Sequence, residues 1–151
     1  MKRILVGVFI ILTIGHSYAD EILVAVAANF AAPMDEIARA FSKSSGHQLK
    51  ISTGSSGKLY AQIRNGAPFQ IFLSADQDKP AQLENEGLAV QGSRFTYATG
   101  KLVLWSANPD TVDTKGKVLE ANQFRRIALA NPKAAPYGEA AMETLTALNL
   151  K

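Results

Sequence analysis

Hydrophobic residues form short runs that alternate with longer amphipathic stretches over the first two thirds of the chain. The continuous apolar run at residues 22–27 predicts a strand that is buried on both faces. Apolar residues then recur at helical spacing as far as Gly46, a residue type that commonly ends a helix. The residues at helical spacing are Met34, Ile37, Ala38 and Phe41.

Two further units of the same kind follow. Residues 49–53 alternate and predict a strand, and a short helix then runs to about Asn65 and Gly66. Residues 69–73 predict a third strand, and the helix after it buries Leu83 and ends at Gly87. Three consecutive β–α units predict an α/β fold with a mainly parallel sheet and right-handed crossovers. Ligands bind beyond the carboxyl ends of the strands in such sheets.

The pattern changes near Arg94. Three β-prone segments follow, and they predict strands at residues 95–99, 101–106 and 126–130. A helix is predicted at residues 139–148. We therefore expect two lobes, the first formed by residues 20–97 and the second, incomplete, by residues 98–151.

The first nineteen residues have the three parts of a secretory signal peptide. Lys2 and Arg3 form the positive start, residues 4–14 the apolar centre, and residues 17–19 the small-x-small pattern before a cleavage site. An N-terminal membrane anchor is the alternative, but the apolar run falls short of the about 20 residues that a transmembrane helix needs. We expect cleavage after Ala19 and export to the periplasm.

Charge and composition exclude several classes of function. The chain has 16 basic and 13 acidic residues, and removal of residues 1–19 leaves 14 basic and 13 acidic residues, a net charge of +1. No basic stripe with interleaved aromatic residues is present, so nucleic acid is not an expected partner. The absence of cysteine excludes thiol chemistry and zinc–thiolate sites.

Residues suited to catalysis are few in the exported part. His47 is its single histidine and is expected at the surface or at a sheet edge, so no Ser–His–acid set can form. Asp76 and Asp78 fit the start of a helix or a solvated turn. We therefore do not expect an enzyme.

The segment at residues 53–58 superficially resembles a nucleotide-binding P-loop. It fails that motif because Ser52 replaces the first glycine and Leu59 follows the lysine, which excludes ATP or GTP hydrolysis. Glycines that admit a ligand, serine hydroxyls and a helix N-terminus still favour an anion. The alternative is a Ser/Gly turn in which Ser55 and Ser56 only cap the helix.

Two other loops carry candidate donors. Asn29 follows the first strand, and its amide can donate to an anion, although an N-cap of the next helix is the alternative. Tyr137 begins the last helix and offers a backbone N–H from the second lobe, although a tight turn is the alternative. Neutral donors of this kind hold an anion without promoting reaction.

The segments AVAANFAAPM, STGSSGKLYAQIRNGAPFQIFLSAD and ALANPKAAPYGEAAMETL together resemble the periplasmic molybdate-binding proteins of ABC importers. The resemblance runs from about Glu21 to the last residue. It implies the type II periplasmic binding protein fold, with two α/β lobes that close around molybdate or tungstate. Because relatives continue well past residue 151, it also implies that part of both lobes is missing.

The same resemblance implies roles for individual residues. Asn29 and Ser56 match donor positions in the first two loops, and Tyr137 matches the backbone donor of the second lobe. Their neighbours Ala28, Ser55 and Gly57 are further candidates for oxyanion binding. We expect no cofactor and no free metal cation, a membrane permease as partner, and a monomer.

Three alternatives stay open from the residues. The first is a receptor for another oxyanion, such as sulfate or phosphonate, on the same fold. The second is an exported α/β hydrolase, which needs a titrating catalytic group that this segment lacks. The third is a degenerate product that has lost ligand positions.

Overall fold

The computed structural model describes residues 21–122 and 124–150. Three parallel strands form one sheet in the order β2–β1–β3, and the predicted parallel α/β fold is confirmed. The strands are β1 (Glu21–Ala27), β2 (Gln48–Gly54) and β3 (Ile71–Leu73). The predicted signal peptide lies outside the described residues.

Helices connect the strands and continue after them. A short 3-10 helix at Ala28–Phe30 precedes the first α-helix. The helices are α1 (Ala31–Ser45), α2 (Ser56–Arg64), α3 (Asp78–Asn85), α4 (Lys117–Glu120) and α5 (Pro136–Ala147). None of the helices in residues 21–122 and 124–150 has the length and apolar character needed to cross a membrane.

The core lies where β1 is covered by its flanking helices. Val24 and Val26 are fully buried, and Met34 of α1 packs against them. Leu59 of α2 is buried, and so is Leu83 of α3, as the sequence predicted. The complete burial of the second half of β1 explains its unbroken apolar sequence, because both faces of the central strand are covered.

Most predicted boundaries in this part hold, with local differences. Gly46 ends α1 with a positive φ of 78°, and its N–H donates to the Ser42 carbonyl at 3.0 Å. The third strand begins at Ile71, two residues later than predicted. Ile37, one of the residues at helical spacing, is 46% exposed, whereas Met34 of the same helix is buried.

The strands predicted at residues 95–99, 101–106 and 126–130 are wrong, since none of these segments is a strand in the structure. Phe95, Val103 and Trp105 stand largely in solvent, at 80%, 81% and 77% exposure. A strand needs a neighbour for its backbone N–H and C=O groups, and β-propensity alone does not supply one. The last helix begins at Pro136, three residues before the predicted start, because proline fits the first turn of a helix.

Candidate anion-binding site

A cavity of about 370 Å³ lies at the carboxyl ends of β1 and β2. The 3-10 turn, the start of α2, the loop after β3 and the start of α5 surround it. A volume of this size corresponds to roughly a dozen water molecules at about 30 Å³ each, enough for a small anion. Its polar lining residues are Asn29, Ser55, Ser56, Asn131 and Tyr137, and none of the described residues that line it is charged.

Ser56 is the most buried polar residue of this cavity. It is the first residue of α2 and is 1% exposed. Its Oγ accepts a hydrogen bond from the Ala75 N–H at 2.9 Å, which joins the second strand-end loop to the third. A serine hydroxyl that accepts one bond still has its own proton to donate, so Ser56 is fixed in position and keeps a donor.

Ser55 has a different role from its neighbour. It is the N-cap of α2, and its Oγ accepts a hydrogen bond from the Lys58 N–H at 3.4 Å. The interpretation that the serines of this loop cap the helix therefore holds for Ser55. Ser56 instead bonds to Ala75 through its side chain.

Gly57 is the second residue of α2 and provides another backbone amide of its first turn. Its N–H donates to the Ala134 carbonyl at 3.1 Å, across the cavity wall. The Lys58 N–H is used by the Ser55 cap. Within the described residues, the Ser56 N–H is therefore the amide of this first turn that has no acceptor.

Asn29 does not cap α1, and that alternative interpretation is wrong. The N-cap of α1 is Phe30, and it makes no side-chain cap bond. The intervening 3-10 turn shifts the start of the helix beyond Asn29. Asn29 is exposed at the cavity, together with Ala28.

The first turn of α5 forms the opposite wall. Tyr137 is its second residue, so its N–H is one of the four that find no acceptor within a helix. The preceding turn is fixed by the Asn131 carbonyl, which accepts hydrogen bonds from the N–H groups of Ala134 at 3.1 Å and Ala135 at 2.9 Å. Gly138 is buried against residue 130, where an added methyl group would lie 2.7 Å from the Ala130 carbonyl carbon.

The sequence reasoning missed two residues near the site. Asn131 lines the cavity, and a signal existed because it follows a β-prone segment as Asn29 follows β1. Tyr97 was assigned to a strand, yet its hydroxyl donates to the Ser74 carbonyl at 2.8 Å and its ring packs edge-on against Phe30 with centroids 4.9 Å apart. Burial, and then the neighbouring Tyr137, raise the pKa of Tyr97 above its ordinary value.

Two other features of the described residues do not add to this site. A more open hollow of about 610 Å³ lies beside β2 and α2, and it contains none of the six predicted binding residues. No group of His, Cys, Asp and Glu side chains in residues 21–122 and 124–150 is arranged to hold a metal ion.

Comparisons with a family model and with curated relatives lead to the same kind of protein. The family model for bacterial extracellular solute-binding proteins matches residues 22–151. The molybdate-binding protein ModA of Azotobacter vinelandii is 57% identical over 132 residues, which is 87% of this chain and 52% of that protein. The corresponding protein of Rhodobacter capsulatus is 51% identical with the same coverage. The chain thus spans about half the length of the curated relatives it matches.

Solved structures agree with the sequence comparison. The Azotobacter vinelandii periplasmic molybdate-binding protein superposes with a TM-score of 0.83 at 53% identity, covering 85% of this chain and 56% of the other. The α/β architecture with its parallel sheet is the fold of that protein. The chain belongs to the family of bacterial extracellular solute-binding proteins.

Proposed function

We propose that this chain forms the ligand-binding part of a periplasmic receptor that captures molybdate or tungstate for the membrane permease of an ABC importer. The observation that carries the proposal is the cavity where Asn29, Ser56 and Tyr137 meet without a charged neighbour in its wall. The names of the Azotobacter and Rhodobacter relatives support the choice of oxyanion.

The chemistry of the wall fits a fully ionised dianion. Hydroxyl, amide and backbone N–H groups all donate, and hydrogen bonds to a charged acceptor are roughly twice as strong as neutral ones. A protonated phosphate also needs an acceptor for its own hydrogen, and no carboxylate among the described lining residues offers a strong one. Molybdate and tungstate are dianions of nearly equal size, and the receptor would accept both.

The receptor would bind without turnover, since no Asp, Glu, His, Lys or Arg is among the described residues that line the cavity. It acts in the periplasm as a monomer after cleavage behind Ala19. Residues 20–97 belong to its first lobe and residues 98–151 to its second. Closure of the lobes would bring the Tyr137 N–H toward the donors at Asn29 and Ser56.

Isothermal titration with molybdate tests the proposal, with tungstate, sulfate, phosphonate and phosphate as competitors. Because the chain spans about half the length of its relatives, residues 20–151 are titrated alone and also joined to the remaining part of the Azotobacter vinelandii relative. Heat of binding with molybdate and tungstate, and little or none with the competitors, supports the proposal. Tighter binding of sulfate or phosphonate would reassign the ligand. If neither residues 20–151 nor the chimera bound any of these anions, the proposal of an oxyanion receptor would be refuted.

Ser56→Ala is the sharpest substitution at the site. Loss of a donor to a charged group should weaken molybdate binding by roughly 1–3 kcal/mol, which is about 5- to 150-fold in Kd. The variant also leaves the Ala75 N–H without its acceptor, so urea unfolding is measured in parallel and titrations are run where the variant is fully folded. Ser44→Ala, at the far end of α1, is the matched control. Unchanged affinity in Ser56→Ala would remove this hydroxyl from the site.

A further inference from the structure

Tyr137 lines the cavity, and the phenol end of its side chain lies against Gly100. A methyl group added at Gly100 would lie 2.9 Å from Cζ of Tyr137 and closer still to its hydroxyl oxygen. Ordinary carbon–carbon contacts begin at about 3.5 Å. The phenol end of Tyr137 therefore occupies the place that a side chain at position 100 would need.

The backbone of Gly100 does not itself require glycine. Its φ lies outside the left-handed region, whereas five other glycines among the described residues have positive φ. An alanine could adopt this backbone conformation, and the clash with Tyr137 would be its only cost. The need for glycine at this position comes from the ring and not from the chain path.

Tyr97 fixes the same stretch of chain to the strand-end loops. Its hydroxyl donates to the Ser74 carbonyl after β3 at 2.8 Å, and its ring packs on Phe30 beside Asn29. It is also near enough to Tyr137 for that residue to influence its ionisation. The segment that receives the Tyr137 ring is thus anchored to two of the loops that line the cavity.

We propose that Gly100, on the segment that Tyr97 anchors, forms a socket for the Tyr137 side chain, and that this socket positions the first turn of α5 so that its N–H groups face the bound oxyanion. The inference rests on the proposed function, since it assigns a task within that site. Gly100 and Tyr97 touch no ligand and act as positioning residues. They set the separation between the α5 wall and the loops at Asn29 and Ser56.

A double-mutant cycle with rescue tests the socket. Gly100→Ala should weaken molybdate binding, and Tyr137→Ala, which keeps the backbone N–H, should remove that effect when combined with it. The expected coupling is roughly 2- to 150-fold in Kd, the range for residues in direct contact. Thr99→Ala, at the exposed neighbouring position, is the matched control. The free energy of unfolding in urea is also measured for the four proteins of the cycle. Coupling between the two substitutions in this quantity reports contact of the Tyr137 ring with position 100 in the absence of ligand.

The outcomes separate the socket from the oxyanion site. A Gly100→Ala effect that disappears in the Tyr137→Ala background supports the socket, since general damage at position 100 would persist without the ring. Wild-type binding with additive effects of the two substitutions overturns the socket and leaves the proposed function standing. Absence of molybdate binding in the wild-type titrations overturns the proposed function and the positioning role together, while urea coupling would still show that the ring docks.

Discussion

Gly57 lies at a point where two effects of one methyl group oppose each other. In the first turn of α2, Gly→Ala normally stabilises by about 0.5–1 kcal/mol. A Cβ at this position would however lie 3.0 Å from the Ala134 carbonyl oxygen and 3.3 Å from its Cα. Overpacking of this kind costs about 1–3 kcal/mol. We therefore expect Gly57→Ala to lower the free energy of unfolding in urea.

The sign of the change in Gly57→Ala is the informative result. An increase of about 1 kcal/mol in the free energy of unfolding is the usual result of Gly→Ala at a solvent-exposed helix position. That result would mean that residues 131–135 do not pack on α2 in solution. A loss would support the contact that the Gly57 N–H makes with the Ala134 carbonyl. It would also place the α5 wall close to Ser56, as the cavity requires.

Helix α3 is tied to the chain that follows it by a buried carboxylate. Glu84 accepts hydrogen bonds from Arg94 and from the Gly92 N–H, the latter at 2.8 Å. Arg94, and then the Gly92 amide, hold the pKa of Glu84 below its ordinary value despite the burial. A lowered folded-state pKa contributes stability above the unfolded pKa, and that stability is lost as pH falls through the folded pKa.

Glu84→Gln should therefore lower the Tm at pH 7, and its difference from wild type should shrink as the pH falls below about 4. Thermal unfolding followed by circular dichroism between pH 7 and pH 3 measures the difference. Glu36→Gln, at an exposed position of α1, is the control and should leave the Tm nearly unchanged. A Tm difference for Glu84→Gln that does not vary with pH would mean that the charge of Glu84 is not involved.

The elements around β1 could be predicted because local and tertiary signals coincide there. The unbroken apolar run of β1, the glycine after α1 and the serines at the start of α2 each have a local physical cause, and the sheet supplies partners for β1, β2 and β3. The segments at 95–106 and 126–130 have β-prone sequences but no strand partner among the described residues. Sequence patterns report propensity, and pairing is decided by distant parts of the chain.

The candidate site also has one part that the sequence predicts and another part that it does not. Donors that follow strands in the first two units could be predicted from the sequence, because parallel strands end at one edge of the sheet. The Tyr97 bond to Ser74 and the contact of Tyr137 with Gly100 join residues 23 and 37 positions apart. No local pattern encodes such contacts, and they were found from the structure alone.

The whole chain leaves a large apolar surface in solvent after Arg94. Trp105 is the chain's single tryptophan and is 77% exposed, between the exposed Val103 and a polar loop.

We expect the fluorescence of Trp105 in residues 20–151 to be red-shifted and readily quenched by acrylamide. A chimera is then made with the remaining part of the Azotobacter relative, and any tryptophan of that added part is replaced by phenylalanine. The Trp105 emission of this chimera should shift to the blue as the added chain covers the surface. Blue-shifted, protected emission from residues 20–151 alone at low concentration would contradict the exposed arrangement. The same shift only at high concentration would mean that a second copy covers the surface, since contiguous exposed apolar patches promote association.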